Sequence, residues 1–400
     1  MYDLVIIGFG ISGIVVAKYA TEYKLKILVL EKSNNFGGVW YNAPNVSELQ
    51  TRKHLYEFSD YPMPKEYPKY PKKHQVLAYV RNYVKKHKLE QHIQYNSNVC
   101  YSKNINDIWI TKYQQNNKVI EIKSNYIAVC GGYYNNKRKL PMEDNYRKKI
   151  ITKYNHRLIS KSKKILIVGN GASACDFLNQ MENDNMIKSR DIDLVYRTEK
   201  YYINKYYYGI PFILIMNNVS LFLARNLPLF IISFILSWFC IYNYNRPDEY
   251  INSSNIVGHL IIPKLSYYEE MNVVKDSLKG FQKDYVLFEN RIPKQYDLII
   301  NTSGYTKNID FITPRIENID DILIYNYVLS KEHKKCGFIG YAPSYNWLIV
   351  SEAQAKWFVF YILNKVDLAN YPKHYNNDSN DLTYDSFNFS KYLFQSLEDE

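Results

Sequence analysis

Short apolar runs and glycine-rich turns divide the chain into alternating strands and helices. The first run, Tyr2–Ile7, is rich in β-branched residues and predicts a buried strand. A glycine-rich turn at 8–13 follows, then a helical pattern over 14–23 and a second apolar run at 25–30. Strand, tight turn, helix and strand in this order predict a βαβ unit with parallel strands.

The same pattern repeats from Lys164, where KILIVGNGASACD predicts a strand, a glycine-rich turn and a helix, and 193–196 predicts the next strand. This internal repeat predicts an α/β fold with two Rossmann-like dinucleotide-binding domains. The stretch YDLIINTSGYT at 296–306 resembles YIAVCGG at 126–132. That likeness predicts that the chain returns to the first domain near residue 296.

The repeat sets the predicted domain boundaries. A first domain covers 1–155 and resumes over 286–370, and a second domain is inserted over 160–285. Within the first, 41–75 is rich in Pro and Tyr and predicts an extended excursion, followed by a helix near 76–88. Residues 137–162 are basic and polar and predict a connector, and the Asn-, Asp- and Ser-rich tail over 371–400 predicts partial disorder.

Charge and cysteine content narrow the class of protein. Lys and Arg outnumber Asp and Glu by 51 to 39, for a net charge of +12, but no zinc-finger or RNP-type motif accompanies them. We therefore expect no nucleic-acid partner, and a basic surface that favours a phosphate-rich cofactor. The five cysteines are far apart in sequence, which argues against disulfides and a zinc site. Since a strand begins at Tyr2, with no room for a signal peptide, we expect a cytoplasmic protein.

The first glycine-rich turn has the spacing of a dinucleotide site. Gly8, Gly10 and Gly13 follow a strand and open a helix, the context in which a pyrophosphate binds at the helix N-terminus. Glu31 ends the next strand, where a carboxylate accepts hydrogen bonds from a ribose. The alternative is a structural βαβ turn without a ligand.

The second turn has the variant spacing Gly169, Gly171, Ala174, and the strand after it ends at Arg197 rather than at an acid. A guanidinium there suits a 2′-phosphate, which a carboxylate would repel. The second nucleotide is therefore predicted to be NADPH, unless Arg197 is only an exposed basic residue at a strand end. Two nucleotide sites in one chain indicate a flavoprotein, with FAD in the first domain and NADPH in the second.

Several longer motifs resemble those of the flavin-containing monooxygenases, most closely the plant-like members. The motifs are GFGISG, EKSNNFGGVW, LQT, YEFSDYPMPKEYP, GNGASA, LVYRTEK, TSGY and EAQAKW. The resemblance implies that NADPH reduces FAD and that the reduced flavin forms a C4a-hydroperoxide with O2. One oxygen atom then passes to a small nitrogen- or sulfur-containing nucleophile.

The resemblance also implies individual roles. Gln50 falls near the reactive edge of the flavin, where an amide could donate to the peroxide or to NADP+, and is the candidate catalytic residue. Besides the turn residues, Glu31 and Arg197, the implied cofactor-binding residues are Ser12, Gly38, Val39, Trp40, Gln50, Thr51, Val99, Ser173, Thr198, Gly304 and Gln354. Of the family's linker fingerprint only His156 is kept, which argues against Baeyer–Villiger chemistry.

Other functions remain open. One is an NADPH oxidase that releases H2O2 because the peroxide is poorly protected, and another is a non-catalytic flavoprotein that binds a partner or a membrane. A pyridine-nucleotide:disulfide reductase would need a flavin-facing cysteine pair, which no two neighbouring cysteines supply. We also expect O2 and a small-molecule substrate as partners, and leave open whether the chain forms a homo-oligomer.

A hydrophobic segment at 209–242 carries a single charge, Arg225. Three interpretations compete: a buried helix pair, an interfacial helix in peripheral contact with the cytosolic face of a membrane, and a true span. The uncharged stretch 227–242 is short for a span and begins with Leu227 and Pro228. Trp238 and Tyr242 at its end would suit a membrane interface.

Overall fold

The computed structural model describes residues 1–198, 206–207, 210–211, 227–228, 231, 270–342 and 347–368. The chain forms two compact units. The first contains the described residues of Met1–Asn42, Thr51–Asn136 and Tyr305–Glu400, and the second those of Ala43–Gln50 and Lys137–Gly304. The second unit therefore interrupts the first along the sequence.

The elements of the described residues alternate as the apolar pattern predicts. The strands are β1 (Tyr2–Ile7), β2 (Ile27–Leu30), β3 (Ile93–Gln94), β4 (Asn98–Ile105), β5 (Ile108–Gln115), β6 (Lys118–Val129), β7 (Asn136–Lys137), β8 (Lys149–Ile151), β9 (Lys164–Val168), β10 (Asp191–Tyr196), β11 (Tyr206–Tyr207), β12 (Ile210–Pro211), β13 (Asn272–Lys275), β14 (Leu278–Gln282), β15 (Tyr285–Phe288), β16 (Lys294–Gln295), β17 (Leu298–Asn301), β18 (Tyr305–Thr306), β19 (Ile312–Thr313), β20 (Leu323–Ile324), β21 (Leu329–Ser330) and β22 (Cys336–Phe338). The helices are α1 (Ile11–Glu22), α2 (Val39–Asn42), α3 (Lys73–Lys86), α4 (His156–Lys161), α5 (Ala172–Asn183), α6 (Tyr325–Val328) and α7 (Trp347–Ile362). The predicted strand at 2–7 is confirmed, and the helix predicted at 14–23 begins three residues earlier.

The first unit contains a sheet in the order β19-β4-β5-β6-β1-β2-β3, with β22 also paired to β6. Strand β6 pairs in two ways: its first half is antiparallel to β5, and its second half is parallel to β1. The parallel part, β22-β6-β1-β2-β3, places the glycine-rich turn after β1 at the carboxyl ends of the strands. In open parallel sheets this edge is where ligands bind.

The second unit contains a parallel sheet in the order β13-β10-β9-β17-β8 and an antiparallel ribbon, β14-β15-β16. Each strand of the parallel sheet has a counterpart in the first unit, with β9 in the place of β1 and β17 in the place of β6. The predicted pair of Rossmann-like folds is thereby confirmed.

The chain does not return to the first unit near residue 296, contrary to the prediction from sequence, but only at Tyr305. Strand β17 lies between β9 and β8, with Leu298 paired to Ile165 on one side and to Lys149 on the other. Strand β8 and α4 likewise come from the region predicted as a connector. The inserted stretch of the second unit is consequently Lys137–Gly304, where the sequence predicts 160–285, and Ala43–Gln50 also belongs to this unit. A buried apolar strand signals burial but not which sheet it joins, and the two sheets here have equivalent places for it.

Alternation along β9 shows why its sequence is a continuous apolar run. Ile165 and Ile167 pack in one buried cluster with α5, whereas Leu166 and Val168 pack in another with the ribbon. A strand with both faces covered needs an apolar residue at every position. On β1, Val5 and Ile7 lie in a third cluster beneath the sheet of the first unit.

Most of the hydrophobic segment 209–242 lies outside the described residues, so the choice between its three interpretations is unchanged. Among the residues that the structure does describe, none of the helices has the length and apolar character needed to cross a bilayer.

Candidate functional site

The first glycine-rich turn makes close backbone contacts with the ends of the two strands that flank β1. The N–H of Gly8 donates to the carbonyl of Leu30 at 2.8 Å. Gly8 has a φ of +99°, and a Cβ there would lie 2.8 Å from the carbonyl oxygen of Cys130. A Cβ on Gly13 would lie only 2.0 Å from the carbonyl oxygen of Gly8. Glycine is therefore required at both positions by the protein itself, for the turn and for close packing of helix on strand.

Gly10 is different, because the protein leaves room for a side chain there. It has extended backbone, with a φ of −78°, and a Cβ would meet the Cα of Gly38 at an ordinary 3.5 Å. In the described part of the chain no side chain caps α1, so its first N–H groups can bind an anion. A ligand that approaches the backbone accounts for glycine at this position, and the turn fits the pyrophosphate of a dinucleotide.

Glu31 joins the end of β2 to the glycine-rich turn. It is 6% exposed; its Oε2 accepts from the N–H of Phe9 at 2.7 Å and its Oε1 from the N–H of Ser33 at 2.8 Å. Each carboxylate oxygen has a second lone pair, so both remain able to accept from a ribose hydroxyl. The side chain thus fixes the turn and also offers the predicted contact to the nucleotide.

The GGVW loop lies beside this turn. Gly38 has a φ of +56°, and a Cβ on it would be 3.1 Å from the Cα of Gly10. Val39 is 53% exposed, which is unusual for an apolar residue of a packed domain. The indole Nε1 of Trp40 donates to the hydroxyl of Tyr56 at 2.8 Å. Burial raises the pKa of Tyr56 to about 12, although this hydrogen bond acts in the opposite direction.

The second glycine-rich turn repeats one backbone hydrogen bond and one close backbone contact of the first. The N–H of Gly169 donates to the carbonyl of Val195 at 2.7 Å, and a Cβ on Gly169 would lie 2.6 Å from the carbonyl oxygen of Thr302. Gly171 precedes α5 without a capping side chain, and a Cβ there would have no neighbour within 4 Å among the described residues. Ala174 is fully buried at the third position, where the first turn has glycine. This geometry also fits a dinucleotide.

Arg197 and Thr198 follow β10 and are both exposed. Arg197 is the first residue after β10, as Glu31 is the first after β2. By strand register it lies one residue further from its turn, because Val195 pairs with Val168 as Leu30 pairs with Ile7, so that Tyr196 is the counterpart of Glu31. The two cradles are therefore alike in backbone geometry and opposite in the charge at the end of the second strand. This difference is what the sequence predicts for a nucleotide with a 2′-phosphate.

The predicted site residues fall into two groups. In the first unit lie Gly8, Gly10, Ser12, Gly13, Glu31, Gly38, Val39, Trp40, Thr51, Val99 and Gln354, and in the second lie Gln50, Gly169, Gly171, Ser173, Ala174, Arg197, Thr198 and Gly304. Gln50 is exposed, whereas Val99 is 9% exposed and packs in the core of the first unit with Val5. Gln354 is fully buried and bonded to backbone, so its side chain cannot present the predicted direct contact to a cofactor.

Cys130, in the CGG sequence after β6, is 4% exposed. Burial raises the pKa of its thiol well above the ordinary range. A thiol in this state is a small hydrophobic group and not a nucleophile, as the sequence predicts.

Polar contacts around the LQT sequence could not be predicted from sequence. Ser47 donates through Oγ to the carboxylate of Asp176 at 2.8 Å, and the N–H of Val46 donates to Oε1 of Gln180 at 3.3 Å. These bonds fasten the segment that ends at Gln50 to α5. Lys53 is 7% exposed, and its ammonium donates to three backbone carbonyls of 64–67 at 2.7–2.9 Å. A serine or lysine in a polar loop carries no signal of such a partner.

Asp176 should make stability depend on pH. Burial raises the pKa of its carboxyl from 3.8 to about 6, with the Ser47 hydrogen bond lowering it and the charge of Glu48 raising it. The folded state thus holds a proton that the unfolded state has released, so the free energy of unfolding should fall as pH rises from about 4 to about 6, by no more than about 3 kcal/mol. In urea unfolding at several pH values, Asp176→Asn should flatten this slope. The exposed Asp144→Asn is the control, and an unchanged slope in Asp176→Asn would contradict the assignment.

Comparison with known proteins places these two cradles in a family. Residues 2–380 match the model of the flavin-binding monooxygenase-like family. The chain belongs to this family. The family predicted from the motifs is thereby confirmed, whereas the closer likeness to plant members remains a prediction.

Individual relatives are distant in sequence. Dimethylaniline monooxygenase [N-oxide-forming] 2 of Mus musculus is 23% identical over 349 residues, which cover 80% of this chain and 64% of that protein. The chain thus spans somewhat less than two thirds of the length of this relative. Among solved structures, OTEMO in complex with FAD and NADP has a TM-score of 0.67 at 13% identity, covering 91% of this chain and 85% of that one. S-allyl-L-cysteine S-oxygenase from Allium sativum has a TM-score of 0.60 at 14% identity, covering 99% and 88%. These similarities establish the shared fold.

Proposed function

We propose that this flavin-binding monooxygenase-like protein uses FAD and NADPH to activate O2 as a C4a-hydroperoxyflavin and transfers one oxygen atom to a small nitrogen- or sulfur-containing nucleophile. The observation that carries the proposal is the pair of matched cradles, alike in backbone and opposite in charge at Glu31 and Arg197. Each cradle has a helix N-terminus without a side-chain cap among the described residues, and a glycine at which those residues leave room for a side chain. The family is flavin-binding, and OTEMO was solved with FAD and NADP.

The residues of the chain have defined tasks in this proposal. In the first cradle, α1 faces the pyrophosphate of FAD and Glu31 accepts from its ribose. In the second, α5 faces the pyrophosphate of NADPH and Arg197 binds the 2′-phosphate. FAD when bound supplies the redox and oxygen chemistry. We assign Gln50 to donate an amide hydrogen bond that protects the activated oxygen or holds NADP+.

A two-stage flavin experiment tests the proposal. Bound flavin is reduced anaerobically with NADPH, or separately with NADH, and is then mixed with O2 while absorbance is followed. We expect NADPH-selective reduction and a long-lived peroxyflavin, with little H2O2. Fast return to oxidised flavin with stoichiometric H2O2 would show that the protein acts as an oxidase and not as a monooxygenase. Absence of bound flavin would contradict both.

The same experiment tests Gln50. Because the amide is assigned to protect the activated oxygen, Gln50→Ala should shorten the life of the peroxyflavin and raise the H2O2 formed per NADPH about tenfold, since one hydrogen bond contributes about 1.4 kcal/mol here. The rate of flavin reduction should stay the same. Asn45→Ala, another exposed amide of the same segment, is the control. Equal H2O2 release by the two variants would remove Gln50 from the mechanism.

A further inference from the structure

The first half of α7 carries three polar side chains in an otherwise apolar, buried helix. Ser351 is 2% exposed, and Glu352 and Gln354 are fully buried. Buried polar groups are costly unless they are hydrogen-bonded, so each of these side chains needs a partner. The partner of Gln354 is the feature that connects this helix to the first cradle.

The carboxamide of Gln354 holds two separate backbone segments. Its Oε1 accepts from the N–H of Gly340 at 3.0 Å, and its Nε2 donates to the carbonyls of Asn326 at 2.9 Å and Tyr327 at 3.4 Å. Asn326 and Tyr327 both have a φ of +58°, and Tyr325 before them has a φ of +41°. Three consecutive residues in this region are strained and need outside support. One amide therefore supports a strained turn and fixes the position of Gly340.

Gly340 in turn contacts the first turn of α1. It has a φ of +84°, and a Cβ there would lie 2.1 Å from the hydroxyl oxygen of Ser12. The hydroxyl of Ser12 is also 3.2 Å from that of Ser351, on α7. Ser12 is the second residue of α1, directly beside the N–H groups of the first cradle. The backbone at Gly340 and the hydroxyl of Ser351 thus form the wall against which the cradle helix begins.

We propose that Gln354 is a positioning residue for the FAD cradle, which holds Gly340 against Ser12 and thereby fixes the first turn of α1 for the pyrophosphate. Gln354 touches no cofactor itself, since its side chain is fully buried and both ends of its amide are bonded to backbone. This assignment rests on the proposed function and replaces the direct contact predicted from sequence.

The first test is Gln354→Leu, which keeps the side-chain volume and removes both hydrogen bonds. The Kd of FAD, measured by flavin fluorescence, should rise about tenfold. In the apo-protein, hydrogen exchange at the amide of Gly340 should become faster. Thr111→Val is the matched control, because Thr111 is fully buried on β5 of the same unit, bonds through its hydroxyl to that of Ser102 at 2.9 Å and is not among the assigned site residues. It should lower stability but leave the Kd of FAD unchanged.

The second test is Gln354→Glu, whose pH dependence separates positioning from packing. An ionised glutamate can accept from Gly340 but cannot donate to the carbonyls of Asn326 and Tyr327. A protonated one can do both, and burial favours the protonated form. The FAD affinity of this variant should therefore rise towards the native value as pH falls from 8 to 6. The FAD affinity of Gln354→Leu should stay low over this whole pH range.

The outcomes are distinct. If Gln354→Leu keeps the native Kd while exchange at Gly340 accelerates, the hydrogen bond exists but does not position the cradle, and the proposal is overturned. If Thr111→Val weakens FAD binding equally, the effect is general destabilisation, which also overturns the proposal. A native protein that binds no FAD would reject the proposed function, and this assignment with it.

Discussion

Alanine at Gly10 should leave the apo-protein folded and weaken the binding of FAD. Alanine at Gly13 should instead destabilise the fold itself. At Gly10 the backbone is extended, and a Cβ would be in ordinary contact with the Cα of Gly38 at 3.5 Å and its N at 3.8 Å. At Gly13 it would lie 2.0 Å from the carbonyl oxygen of Gly8, so α1 would have to move away from β1. The first substitution therefore occupies space reserved for a ligand, and the second occupies space already filled by protein.

We expect Gly10→Ala to raise the Kd of FAD about tenfold to a hundredfold, since overpacking costs about 1–3 kcal/mol. The Tm of its apo-protein should match that of the native apo-protein. Gly13→Ala should lower the apo Tm by about 6–12 °C, for a loss of about 3 kcal/mol in a domain of this size. Calorimetry of the apo-proteins and FAD titration measure both quantities. Equal losses of FAD affinity and apo stability in Gly10→Ala would show that no ligand approaches there.

The second cradle provides the control for this pair. A Cβ on Gly171 would have no neighbour within 4 Å in the described part of the chain. Gly171→Ala should accordingly keep both the apo Tm and the Kd of FAD, while it weakens NADPH. A loss of FAD affinity in Gly171→Ala would mean that the two cradles have been assigned to the wrong nucleotides.

The sequence was sufficient for the two cradles because their chemistry is local. Turn, helix start and strand end lie within about 30 residues of one another, as in any βαβ unit. Gly8 and Gly169 bond to Leu30 and Val195 in the same way, which only a true repeat would produce. The charges of Glu31 and Arg197, which follow the second strand of each βαβ unit, are likewise visible in the sequence.

The features that could not be predicted from the sequence depend on contacts between residues that are far apart in the chain. The strand β17 was assigned to the wrong sheet because an apolar run is equally suited to the place beside β1 and the place beside β9. Gln354 was placed against the cofactor because it lies in a motif, but its partners are Gly340 and a left-handed turn at Asn326, distant in sequence. Hydrogen bonds of buried side chains depend on the whole packing arrangement, which no local pattern contains.

Removing Arg197 should change the nucleotide preference. Arg197 follows β10, is exposed, and lies one residue beyond the register position of Glu31, whose carboxylate accepts from the N–H groups of Phe9 and Ser33. A guanidinium cannot accept hydrogen bonds and therefore cannot serve a ribose as Glu31 does. We therefore expect it to pair with a 2′-phosphate. Arg197→Ala should raise the KM for NADPH about a hundredfold, for a bidentate charged contact of about 2–3 kcal/mol, and leave that for NADH within about twofold.

Two further variants decide whether the effect is local. Lys188→Ala removes the same charge from a side chain that is 85% exposed in the same unit, and should leave both KM values unchanged. Arg197→Glu should go beyond Arg197→Ala, because a carboxylate repels the 2′-phosphate and accepts from a 2′-hydroxyl, so NADH should become the better donor. Steady-state and anaerobic flavin reduction with each nucleotide measure the preference. Equal losses for NADPH and NADH in Arg197→Ala would show that this residue supports the cradle without reading the phosphate, and the contrast between the two strand ends would then carry no information on nucleotide identity.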